Sequence, residues 1–223
     1  MMSDNNTLQL IITALIPLVF AITLHEAAHA WVARYYGDNT AASLGRVTLN
    51  PIKHIDPLGT IIIPLVMLKL GGFIFGWAKP VPLNWQNLKN PRRDKALVAL
   101  AGPAANIFMA IFWAIIASII VSMDLNVESS TLNLVQFALS ASVFGIQINL
   151  ILCFLNLLPL PPLDGSRVIA SMLKPQWATQ YDRIEPFGIF ILLALLVTGA
   201  LSAILGPILQ YSINTLYTLF GLL

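Results

Sequence analysis

Cysteine, histidine and charge are all scarce in these 223 residues. The one cysteine, Cys153, excludes an intramolecular disulfide and a cysteine metal cluster. It lies inside an apolar run and reads as a small buried residue. Charged residues make up 10% of the chain, against about 25% in ordinary soluble domains. A formal net charge of +2 is too small to suggest nucleic-acid binding. There is no internal repeat, no low-complexity segment and no loop long enough to hold a soluble domain. What the chain has in abundance is apolar side chains, 57% of the total, with a mean hydropathy of +0.80.

Those side chains fall into runs of about 20 residues, enough to cross a hydrocarbon core as a helix. The runs are Leu8 to about Tyr36, 97–122, 137–160, 186–205 and 207–223. Lipid offers backbone groups no water, so spanning segments must be helical. The expected fold is an all-α polytopic membrane protein, a single domain over 1–223 with about five transmembrane helices. Gly206-Pro207 separates the last two runs by a turn or a kink. The first run carries a small-x-small triplet, Ala28-His29-Ala30, like a leader cleavage site. The preceding MMSDNNT has no Lys or Arg, which a leader requires, so the run reads as a retained span.

Loop charge sets the orientation. Segment 37–57 carries Arg46 and Lys53. Segment 77–95 carries Lys79, Lys89, Arg92, Arg93 and Lys95, and 161–185 carries Arg167, Lys174 and Arg183. Segment 123–136 has Asp124 and Glu128 and no basic residue. The first three are expected to face the cytoplasm and the fourth the outside. The stretch 58–76, with Pro64, Lys69 and Gly71-Gly72, then cannot be a single crossing. It is expected to be re-entrant, with short extended pieces at 43–49 and 79–83.

Ionisable groups inside a membrane helix are expensive, yet the first run holds His25-Glu26-Ala27-Ala28-His29. Histidines four apart share one helix face and can reach one ion. A glutamate one step on can serve as general base. The bland alternative is a cluster that pairs with polar groups on neighbouring helices. Zinc hydrolases usually take a third protein ligand, and the best candidate is Asp164, after the Pro-rich break in CFLNLLPLPPLDGSRV (153–168). Counting crossings from the loop charges brings Asp164 to the inner side, where the histidines lie.

Asn106 and Asn156 stand in apolar surroundings. Each reads either as a substrate or oxyanion contact or as an interhelical hydrogen bond. His54, in NPIKHIDP, reads as a transient ligand or proton relay, or as a loop histidine bonded to backbone or Asp56. Asn149 and Gln147 are expected to face other helices. Trp77, Trp85 and Trp177 mark interfaces, and Lys89, Arg92, Arg93 and Lys95 read as topology and headgroup charges.

The HEAAH helix and NLLPLPPLDG (156–165) resemble the two signature motifs of the site-2 protease family of intramembrane zinc metalloproteases. LGRVTLNPIKHIDPLGT (44–60), FGWAKPVPLN (75–84) and AGPAAN (101–106) resemble its compact branch. The resemblance covers roughly 20–170. It implies a three-helix catalytic core within about 8–170, followed by C-terminal helices at about 186–223. It implies one Zn2+ per chain on His25, His29 and Asp164, with Glu26 as base. It also implies transmembrane protein substrates cut within or near the bilayer of a prokaryotic cell membrane, from a site towards the cytoplasm. The 223 residues leave no room for the PDZ domain that many members carry. A zinc or proton transporter built on the same cluster is the competing reading.

Overall fold

The computed structural model describes residues 4–62, 79–123 and 129–222. Helices α1 (Asp4–Tyr35), α2 (Pro91–Ser122) and α3 (Ser129–Asn156) are long. They are followed by α4 (Asp164–Met172), α5 (Pro175–Asp182), α6 (Gly188–Val197) and α7 (Ala200–Leu219). Three segments are long and apolar enough to cross a membrane: Ile12–Tyr35, Pro91–Ser122 and Leu132–Asn156. The stretch Pro175–Val197 and helix α7 meet at a 76° bend and pass the same test as a pair. Among the described residues, three segments, or four with the bent pair, thus pass a length and apolarity test, against the about five expected. The C-terminal break lies at Gly199, whose φ is +77°, and not at Gly206-Pro207. Pro207 sits inside α7, and glycine alone adopts that left-handed geometry without strain.

Helix α1 ends for a readable reason. Asp38 N–H donates to Ala33 O and Gly37 N–H to Arg34 O, the paired bonds of a Schellman cap. Gly37 has φ +112°, which a side chain would resist. Helices α1, α2 and α3 pack against one another. Their contacts use small residues: Ala21, Ala30, Ala110, Ala114 and Ala117 are buried, and a Cβ on Gly145 would strike the Trp113 ring. Small residues let membrane helices approach closely where no hydrophobic force drives them together.

Among the described residues there is no strand. Ser43 ends a short helical turn, Thr40–Ser43; turns and bends follow over 44–49, and 79–83 is irregular chain. Residues 63–78, which hold most of the expected re-entrant stretch and Trp77, lie outside the described residues. Their described flanks lie side by side, since Lys79 N–H donates to His54 O at 3.0 Å.

Residues 38–54 and 79–88 form a cap over one end of the bundle. Its centre is Asp38, buried, whose carboxylate accepts from Thr40 N–H (3.0 Å), Thr40 Oγ1 (2.5 Å), Asn84 N–H (2.7 Å) and Asn87 Nδ2 (3.1 Å). The basic residues also do more than mark topology. Arg92 donates to Ser171 O, Met172 O and Leu173 O, the free carbonyls at the end of α4. Arg93 pairs with Asp94 at 3.0 Å and lies over Tyr36. Lys95 reaches Asp182 at 3.8 Å and lies over Trp85. Apart from the adjacent Arg93–Asp94 pair, the sequence pattern does not reveal these contacts, because the partners of Arg92 and Lys95 on α4 and α5 are distant in the chain.

Burial pushes the Asp38 pKa up, but the donors from Thr40, Asn84 and Asn87 outweigh it and hold it below 3.8. Its contribution is therefore full above the unfolded value and fades only as pH falls through the lower folded one. Asp38→Asn replaces an acceptor with a donor facing these groups. It should lower stability by about 1–3 kcal/mol, read as a reduced melting temperature in detergent. The difference from wild type should stay constant between about pH 5 and 8.

Candidate metal centre

His25 and His29 lie on α1, roughly 15 and 9 Å from its C-terminal end at 1.5 Å per residue. Both are buried, at 8% and 5% exposure. Their Nε2 atoms are 3.0 Å apart. Asp164, the first residue of α4, places Oδ2 3.2 Å from each. Two features bring α4 there. Gly165 lets the chain turn tightly, since a Cβ would collide with the Leu157 and Leu158 carbonyls. Arg92 fastens the far end of α4 to α2.

The tautomer of each ring follows from main-chain acceptors. Gly145 O can only accept, so Asn149 turns its Nδ2 towards it at 2.8 Å. Asn149 Oδ1 then accepts from Asn106 Nδ2 at 3.0 Å. That leaves Asn106 Oδ1 to accept from His25 Nδ1 at 2.6 Å. On the other ring, His29 Nδ1 donates to Val98 O at 2.7 Å. With both Nδ1 atoms donating, the neutral rings present lone pairs at Nε2.

Two lone pairs and a buried carboxylate oxygen thus converge, and Asp164 Oδ2 has no hydrogen-bond donor. Such acceptors repel unless a cation lies among them. Zinc holds N and O ligands at about 2.0–2.1 Å with tetrahedral angles, which puts ligand atoms about 3.3 Å apart. The observed 3.0–3.2 Å triangle fits that spacing. Gly102 makes the room: a Cβ there would lie 2.5 Å from His25 Cε1 and against His29 Nε2.

Glu26 is half-buried beside the cluster, and its Oε2 accepts from Val81 N–H at 2.8 Å. Asn106 is fully buried and bonded to His25 and Asn149, which gives it a part in orienting a ring. Asn156 donates to Leu152 O in its own helix. His54 is buried and donates from Nε2 to Thr48 O at 2.9 Å; its ring is not among the three converging groups. Sequence reasoning did not single out Gly102 or Val98, and it placed Asn149 only as a helix contact. The available signal was two asparagines, Asn106 and Asn149, each inside a run of apolar residues.

Removing a partner that orients a metal-ligating histidine typically costs 10–100-fold in affinity. Asn106→Ala should therefore weaken zinc binding by about that factor, measured by competition with a chelator. Unaltered affinity would separate the amide chain from the metal centre.

The family model described as Peptidase family M50 matches residues 13–199. "Putative zinc metalloprotease YwhC" of Bacillus subtilis (strain 168) is 41% identical over 208 residues, 92% of this chain and 90% of that protein. "Putative zinc metalloprotease Rip2" of Mycolicibacterium smegmatis is 30% identical over 193 residues, 82% of this chain and 66% of that protein. The Rip2 of Mycobacterium tuberculosis (strain ATCC 25618 / H37Rv) is 29% identical over 182 residues, 82% of this chain and 65% of that protein. No solved structure matches the chain. With a family match across most of its length and a site whose donors fit zinc, the chain belongs to peptidase family M50 and is a zinc metalloprotease.

Proposed function

We propose that this protein is an intramembrane protease that hydrolyses peptide bonds of transmembrane substrate helices from a site towards the cytoplasm. The carrying observation is the convergence of His25 Nε2, His29 Nε2 and Asp164 Oδ2 within an apolar helix bundle, with Glu26 alongside. The orientation rests on loop charge: the cap and the α4–α5 region carry the basic residues, and 123–136 carries none.

Zinc, when bound, supplies Lewis-acid chemistry: it acidifies water and polarises a carbonyl. His25, His29 and Asp164 hold it. Glu26 takes a proton from the attacking water and passes it to the leaving amine as the peptide bond breaks. Its place one residue after His25 keeps the carboxylate next to the ligands without making it one. Glu26 and Asp164 are half-buried while the bundle behind them is lined by alanine and leucine, so water for hydrolysis has to arrive from the cap side. A substrate helix must unwind there, because a helical carbonyl is already engaged by its own N–H partner. The bent pair of Pro175–Val197 and α7 adds a further apolar stretch beside the three core helices.

Wild-type protein in detergent should cut a model transmembrane helix. Glu26→Gln should lower that turnover by about 10²–10⁴-fold while still binding one zinc. Glu26→Gln cleaving at the wild-type rate would overturn the mechanism.

A further inference from the structure

A general base has to be held still, and a glutamate side chain has three torsions that can move. The contact that holds Glu26 comes from outside α1. Its Oε2 accepts from Val81 N–H at 2.8 Å, across 55 residues of chain. Val81 stands between Pro80 and Pro82. Proline has no N–H, so this amide is the one donor that 80–82 can offer.

The backbone that presents it is itself held. Arg46 Nη2 donates to Lys79 O at 2.9 Å and to Pro80 O at 3.3 Å. Arg46 is buried to 8% exposure, and arginine is rarely so buried unless it is paired. Lys79 N–H donates to His54 O, which ties the same residues to the other half of the cap. The Val81 side chain packs with Ala30 and Ala41. A fixed guanidinium thus leads through two carbonyls and one amide to the carboxylate next to the metal ligands.

We propose that Arg46 is a positioning residue for the general base. It pins the backbone at 79–80 so that Val81 N–H fixes one oxygen of Glu26 and leaves the other to carry the proton. This rests on Glu26 being the base. The planar guanidinium reaches both carbonyls from a single rigid group; a lysine ammonium is a point charge on a flexible stem.

Hydrogen–deuterium exchange on zinc-free protein reads the contact without turnover. Residues 79–83 contain three amides, on Lys79, Val81 and Leu83. Glu26→Ala and Arg46→Met should each speed exchange at Val81 by about 10-fold, as expected for losing one charge-assisted hydrogen bond. In turnover assays, Arg46→Met should lower kcat by about 10–100-fold with KM and zinc content held, and Arg46→Lys should recover part of it. Val81→Pro deletes the donor and should fall as far, whereas Val81→Ala keeps the N–H and should turn over at least about tenfold faster than Val81→Pro. The Arg46 pair decides the matter should Val81→Pro not fold. Wild-type exchange at Val81 in both Glu26→Ala and Arg46→Met, or wild-type kcat in Arg46→Met, would overturn the proposal. A wild-type protein that cuts no membrane helix would instead sink the protease reading and leave the exchange result to judge the contact.

Discussion

Two main-chain carbonyls, Gly145 O and Val98 O, dictate the chemistry at the centre of this protein. Each can only accept a hydrogen bond. Through Asn149 and Asn106 the first fixes a proton on His25 Nδ1, and the second fixes one on His29 Nδ1. In the neutral rings both Nε2 lone pairs then face Asp164, an arrangement that a cation among the three atoms would satisfy. The contribution of α2 and α3 is therefore more than enclosure. They supply the acceptors that leave two histidines able to serve as ligands, and buried networks of this kind are worth having only when every member is satisfied.

Around that centre the structure divides its work by depth. Within the bundle, alanines and glycines bring three helices close, and Gly102 leaves the space that the imidazoles occupy. At the capped end, polar contacts take over. Asp38 closes the cap, Arg46 holds the segment that touches Glu26, and Arg92 holds the helix that begins with Asp164. Asp164 and Glu26 thus reach the site from chain that lies outside the membrane-spanning segments or is braced by it. Surface ion pairs usually contribute little to stability. The bonds of Arg46 and Arg92 differ in kind, since they satisfy main-chain carbonyls that no helix or sheet partner serves.

The centre was legible in the sequence because the energetics leave little choice. Histidines and a glutamate in an apolar helix carry a penalty that idle residues would not survive. Loop charge and crossing count both brought Asp164 to the same side, and its oxygen lies 3.2 Å from both rings. The supporting set was less legible. Gly102 acts by what it lacks, and Val98 by a backbone atom that every residue has. Arg92 and Lys95 looked like topology charges because nothing in a linear pattern shows a partner 80 residues away. The expected extended pieces at 43–49 and 79–83 are a helix end with turns and bends and a stretch of irregular chain, held by side chains and not by a ladder. The C-terminal break lies at Gly199 and not at Gly206-Pro207, because a left-handed residue ends a helix whereas apolar membrane-type helices accommodate an interior proline.

X-ray absorption at the zinc edge tests the centre most directly, since it counts ligand types without a substrate. The expected spectrum has two imidazole nitrogens at about 2.0–2.1 Å and a carboxylate oxygen at about 2.0–2.2 Å. The imidazole contribution should halve in His29→Ala. A sulfur shell at about 2.3 Å, or a spectrum unchanged in His29→Ala, would contradict a cation held by His25, His29 and Asp164.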